Sequence, residues 1–145
     1  MINTKTLTNA NSILRMKAPG VYNDWVDIIQ FQADNRTSAD ARGVSESRMG
    51  VDAYASFGYT PNLQPFNVYL EGNSASIEVM QNIMRYQDTK RETVIVEFEQ
   101  VYTSVGRRAT FKGAMSTGEG LTSGGKLING MQYNFMVEPV VESEV

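Results

Sequence analysis

The chain contains neither cysteine nor histidine. Their absence removes thiol nucleophiles, disulfides, thiolate or imidazole metal centres, and every triad that relays a proton through imidazole. Long apolar runs are missing as well: no stretch approaches the roughly eighteen residues that a membrane-crossing helix needs, so no membrane insertion is expected. The opening "MINTKTLTNANSILRMK" holds no apolar core followed by a small-residue cleavage site, so the protein is expected to stay where it is made. A basic excess is lacking too. Lysine and arginine number 13 against 16 acidic residues, for a net charge of -3, which supplies no electrostatic drive to grip nucleic acid. Carboxylate, lysine, tyrosine and hydroxyl chemistry remains, but those groups occur on every surface, so neither an enzyme nor a cofactor or metal is expected.

What is there describes one domain over residues 1–145, with 41% hydrophobic residues and a single tryptophan. A chain of this length buries about two thirds of the surface it exposes unfolded. "VDIIQF", Val26 to Phe31, predicts a strand after the turn signal "APGVYND". "AYASFGYTPN" and "QPFNVYLEG" predict two more, with "TPNL" as the hairpin turn between them. In the second, Phe66, Val68 and Leu70 share one face while Asn67 and Tyr69 take the other. Pro65 requires that strand to begin there or lie at an edge, because proline donates nothing to a ladder.

Ser76 to Lys90 predicts the one helix, since Ile77, Met80, Ile83 and Met84 recur at helical spacing. Ser76 is placed to cap it, Glu78 suits its positive end, and Lys90 with Arg91 suits the negative end. "TVIVEFEQV" from Thr93 turns Val94, Val96 and Phe98 inward and Glu97 and Glu99 outward. "RRATFKGAM" and "YNFMVEPVV", Arg107 to Met115 and Tyr133 to Val141, complete about six strands. The expected fold is mainly β: an antiparallel β-sandwich or small barrel with one flanking helix and a long inter-strand loop.

"GLTSGGKL", Gly120 to Leu127, has the glycine and lysine spacing of a phosphate-binding loop. Leu127 stands where a magnesium-holding hydroxyl is needed, and "INGMQ" does not open a helix, so a glycine-rich connection is expected instead. Asp24 with Asp27, and Glu97 with Glu99, are the closest carboxylate pairs, and neither has a third partner to make an acid/base or metal site. The segment from Ala33 to Ala53, "ADNRTSADARGVSESRMGVDA", is different. It is longer than the roughly fifteen residues that an ordinary connection occupies. It carries three acid-x-arginine pairs spaced six apart, Asp34 and Arg36, Asp40 and Arg42, Glu46 and Arg48. All six occupy even positions, so on two extended arms each set projects to one face, alternating in sign. Such a face suits pairing with a neighbouring subunit, and Met49 and Val51 add apolar anchors.

The order of these segments resembles the tail tube protein of a contractile-tailed bacteriophage. "MGVDA", "GYTPN" and "GRRATFKGAM" carry most of the likeness, which extends over most of the chain. The resemblance implies hexameric rings stacked into a hollow tube for DNA ejection, with tail sheath and baseplate proteins as partners. The location it implies is the virion tail, after assembly in the host cytoplasm. It implies that residues 33–53 reach the adjacent ring, placing Asp34, Arg36, Asp40, Arg42, Glu46, Arg48 and Met49 at a subunit interface, with an N-terminal arm over residues 1–18 completing the contacts. The lumen is expected to be acidic or neutral, with Glu97 and Glu99 as candidates to face it. A type VI secretion tube and a baseplate or terminator ring are the neighbouring readings. A small-ligand-binding β-barrel is the reading from another class; it would stay monomeric around an apolar cavity.

Overall fold

In the computed structural model, which describes residues 2–144, the chain builds an eight-stranded antiparallel sheet, a separate two-stranded ribbon and one helix. The strands are β1 (Ile13–Ala18), β2 (Tyr22–Asp27), β3 (Thr37–Ala39), β4 (Ser45–Met49), β5 (Ala55–Tyr59) and β6 (Gln64–Leu70). After the helix α1 (Ser76–Lys90) come β7 (Val96–Tyr102), β8 (Arg107–Gly118), β9 (Met131–Val137) and β10 (Val141–Glu144). The large sheet runs β2-β1-β7-β8-β9-β6-β3, with β10 also on β8. The fold is therefore mainly β, a curled antiparallel sheet closing on itself as a sandwich, with a single helix.

Curling is visible in the core. Phe66 on β6 and Phe98 on β7 belong to strands three lanes apart, yet their ring centroids lie 5.3 Å apart. Phe98 also meets Phe111 at 5.3 Å and Phe135 at 4.9 Å, edge-to-face and offset contacts that favour aromatic clusters. Near the β3 edge, Gln100 Nε2 donates to Thr37 Oγ1 at 3.2 Å, again across the curl. Alternation produces this core. Leu14, Met16 and Ala18 of β1, Val96 and Phe98 of β7, and Tyr133, Phe135 and Val137 of β9 are all buried, while their sequence neighbours face away.

The helix occupies the predicted residues and covers the open side. Val79, Met80 and Ile83 are buried against the sheet. Asn82 Nδ2 donates to Tyr22 Oη at 2.8 Å, and Gln81 Nε2 to Tyr133 Oη at 3.0 Å, so its polar residues bridge β2 and β9. Its N-terminus is not capped by Ser76 as expected. Ser74 Oγ accepts from the Ser76 N–H at 3.2 Å, and the Ala75 N–H donates to Gln30 Oε1 at 3.2 Å. Ser76 Oγ instead accepts from the Ile29 N–H at 2.9 Å, pinning the helix to the preceding segment.

Two further expectations are corrected. The strand predicted over Val26 to Phe31 lies earlier, at Tyr22–Asp27. A tight turn at Gly20, with φ +96°, returns the chain onto β1, and Gln30, with φ +58°, ends extended geometry. Of the predicted N-terminal arm over 1–18, Ile13–Ala18 is instead an interior strand between β2 and β7. Its alternation of Leu14, Met16 and Ala18 with Arg15 and Lys17 is the pattern of a half-buried strand.

An uncovered amphipathic hairpin as candidate functional site

The long segment predicted as a loop is mostly ribbon. In the body, β3 pairs with β6 from Thr37↔Val68 to Ala39↔Phe66; further out, β4 pairs with β5 from Ser45↔Tyr59 to Met49↔Ala55. The two arms of 33–53 therefore do not pair with each other. Between the paired blocks one side advances six residues, Ala39 to Ser45, and the other seven, Tyr59 to Phe66. One additional residue is thus accommodated on the returning side, and it exchanges which parity faces which way. "TPNL" is consequently no hairpin turn, since β5 and β6 belong to different paired blocks. It is the joint of the ribbon; Pro61 lies within it and Pro65 just beyond it in β6, and neither can donate to a ladder.

Side chains hold the joint where the regular ladder lapses. Gln64 Nε2 donates to the Asp40 carbonyl at 3.2 Å and Asn62 Nδ2 to the Gly43 carbonyl at 2.9 Å. The Thr60 N–H donates to the Val44 carbonyl at 3.2 Å. At the tip, the Gly50 N–H donates to the Tyr54 carbonyl at 2.9 Å, and Ala53 takes φ +67° to close the turn.

Register sorts the hairpin into two unlike faces. Ser45, Ser47 and Met49 stand opposite Tyr59, Phe57 and Ala55 on one face; Glu46 and Arg48 stand opposite Gly58 and Ser56 on the other. Every residue of both strands is exposed. Met49 is 68% exposed, Phe57 77% and Tyr59 74%, although large aromatics are ordinarily buried. An isolated two-stranded hairpin is marginal in water, so this apolar face is a surface without its cover.

The predicted interface charges separate accordingly. Arg36 is engaged within its own chain. Its Nη1 and Nη2 donate to the carbonyls of Asn9 and Ser12 at 2.8 Å each, and its guanidinium lies 4.3 Å from the Phe31 ring centroid. It fastens the N-terminal segment to the body, and the burial this entails pushes its pKa below the ordinary arginine value, against the opposing influence of Tyr102. Asp34 and Asp40 are exposed at the ribbon's root, Arg42 is half-buried there, and Glu46, Arg48 and Met49 lie on the hairpin itself. Among the described residues, none of these charges forms an ion pair. The partner-seeking chemistry that parity of charge missed is the apolar triad Met49, Phe57 and Tyr59. The switch of aromatic parity, from Phe57 and Tyr59 to Phe66 across two prolines, was its signal in the sequence.

Glu97 and Glu99 stand on the outer face of β7. Glu97 lies between Lys17 and Lys112 in the cross-strand register. Glu99 lies 3.8 Å from Arg15 Nη1, whose Nε donates to Asp27 Oδ1 at 3.1 Å. The face interleaves both signs, an arrangement that contributes little to stability at exposed positions. The "GLTSGGKL" stretch forms a small turn in which Gly124 bridges Ile128 and the Gly125 N–H donates to the Leu127 carbonyl at 3.0 Å. It leads into β9, not into a helix.

A sheet body whose distinctive surface is an uncovered arm has the build of a structural protein. The comparison with known families makes that class specific: the chain belongs to the tail fiber protein gp32 family, whose profile matches residues 5–141. It is a phage tail structural protein. No curated protein matches the chain.

Proposed function

We propose that this protein is the subunit of a phage tail tube, assembling into stacked hexameric rings around a channel for DNA, without catalytic turnover. The observation that carries the reading is the amphipathic hairpin, whose apolar face has no cover within its own chain. Two features of the body support it. The sheet ends in unpaired edges at β2 and β3, which identical copies can extend around a ring. The face bearing Glu97 and Glu99 mixes both signs, and a lumen without a continuous basic surface lets a polyanion slide. In this reading those two residues face the lumen, and the opposite surface of the assembly meets sheath and baseplate proteins.

The family's description as a tail fiber protein favours a second reading, a component of a fibre and not a tube. Electron microscopy of negatively stained, concentrated protein separates the two. Hollow tubes with six-fold end views support the tube; solid fibres, discrete rings that never stack, or a lasting monomer overturn it.

A further inference from the structure

The ribbon leaves the body in mid-course. β6 accompanies β9 as far as the pair Gln64↔Val137. Past Val137 the chain continues as β10, paired with β8 from Val141↔Thr110 to Glu144↔Arg107 and, among the described residues, with no other strand. The strand next in line beside β10 would be the stretch preceding Gln64, but that stretch departs through Pro61 into β5. A lane of the sheet is left vacant. Where it would run, the surface opens into a mouth of about 330 Å³ between the two edges of the curl, lined by Pro65, Phe66, Phe111, Val137, Val140 and Glu142.

We propose that the vacated lane beside β10 takes the β4–β5 hairpin of a second copy, laying Met49, Phe57 and Tyr59 over the mouth and pairing the free edge of β5 with β10. The proposal rests on the self-assembling reading above and specifies its contact. The edges match: among the described residues β5 is hydrogen-bonded only to β4, and β10 only to β8, so each offers an unpaired row of backbone groups. The surfaces match: one is an apolar face without a cover among the described residues, the other a mixed opening that reaches the core rings of Phe66 and Phe111. A chain cannot serve itself. Its hairpin springs from the rim of its own mouth, and the hydrogen-bonded joint over residues 40–44 and 60–64 keeps it from doubling back. Arm and mouth are different surfaces, so their contact is heterologous and propagates from copy to copy.

The absence of native cysteine permits a direct test. Separately purified Phe57→Cys and Val140→Cys full-length chains are mixed under assembling conditions and treated with a short bis-maleimide. The expected product is a heterodimer joining position 57 of one copy to position 140 of another. Phe57→Asp raises the concentration needed for assembly on the order of thirtyfold or more, the effect of losing a central anchor. Polymers that link only 57 to 57 overturn the proposal in favour of arm-on-arm pairing. Polymers with no 57–140 product overturn it while leaving the assembly reading standing. Wild-type protein that never polymerises overturns both.

Discussion

The guanidinium of Arg36 illustrates how one side chain can fasten a terminus. It meets two carbonyl oxygens at 2.8 Å and an aromatic face at 4.3 Å. Only a planar fork satisfies all three at once; a lysine supplies a point charge without the second arm. Burial works against the charged form, as its lowered pKa indicates, and the charge-assisted hydrogen bonds offset that cost. Arg36→Ala is therefore expected to lower unfolding free energy by about 1–2 kcal/mol, since it also takes the donor from the part-buried Ser12 carbonyl. The same substitution should speed proteolysis within residues 2–12, with Arg36→Lys intermediate. Urea denaturation and limited digestion read the two effects, and identical cleavage in wild type and variant would remove the clamp. Single-residue charge patterning in the sequence placed Arg36 at an interface because it records sign and spacing, not which carbonyls fold into reach.

Elements differ in how much of them is written locally. The helix could be delimited from its apolar period alone, because an amphipathic stripe and a basic last turn are local properties. Its cap could not, since the cap depends on Ser74 and Gln30, the latter contributed from a distant segment. Ser74 Oγ also donates to the Ile29 carbonyl at 2.6 Å. Ser74→Ala thus leaves one carbonyl and one helix N–H without partners, and a loss of about 1–2 kcal/mol is expected in urea unfolding. An unchanged midpoint would mean that another group takes over the cap. β2 was misplaced for a related reason: "YNDWVD" has weak strand composition and a largely exposed edge position, and β1 beside it supplies the partner that makes it a strand. β8 shows the same dependence at Gly113, where a Cβ would overlap the Met136 carbonyl. Only glycine allows β9 to approach that closely.

On the scale of the whole molecule, the protein divides into a self-sufficient body and an arm that contributes nothing to the core. The buried cluster from Leu14 to Val137 contains no residue of β4 or β5. Replacing Ser45 to Tyr59 by a short turn is expected to leave the melting temperature within about 2 °C of wild type, because no buried area is lost. The same deletion should abolish polymer formation. Calorimetry and sedimentation velocity measure the two, and a truncated chain that still assembles would move the contact elsewhere.

The sequence by itself determined the mainly β class, the residues of the helix, the inward set of Phe66, Val68, Leu70, Val96, Phe98, Tyr133, Phe135 and Val137, and the unusual character of residues 33–53. Each follows from periodicity or composition within a short window. Only the tertiary structure decided that Ile13–Ala18 is an interior strand, that Arg36 serves its own chain, and that the excursion is a ribbon whose exposed face is apolar. Those outcomes depend on pairing between distant segments. A one-residue offset in the register between Ala39↔Phe66 and Ser45↔Tyr59 determines which side chains the hairpin presents, and no local pattern specifies a register until its partner strand is in place.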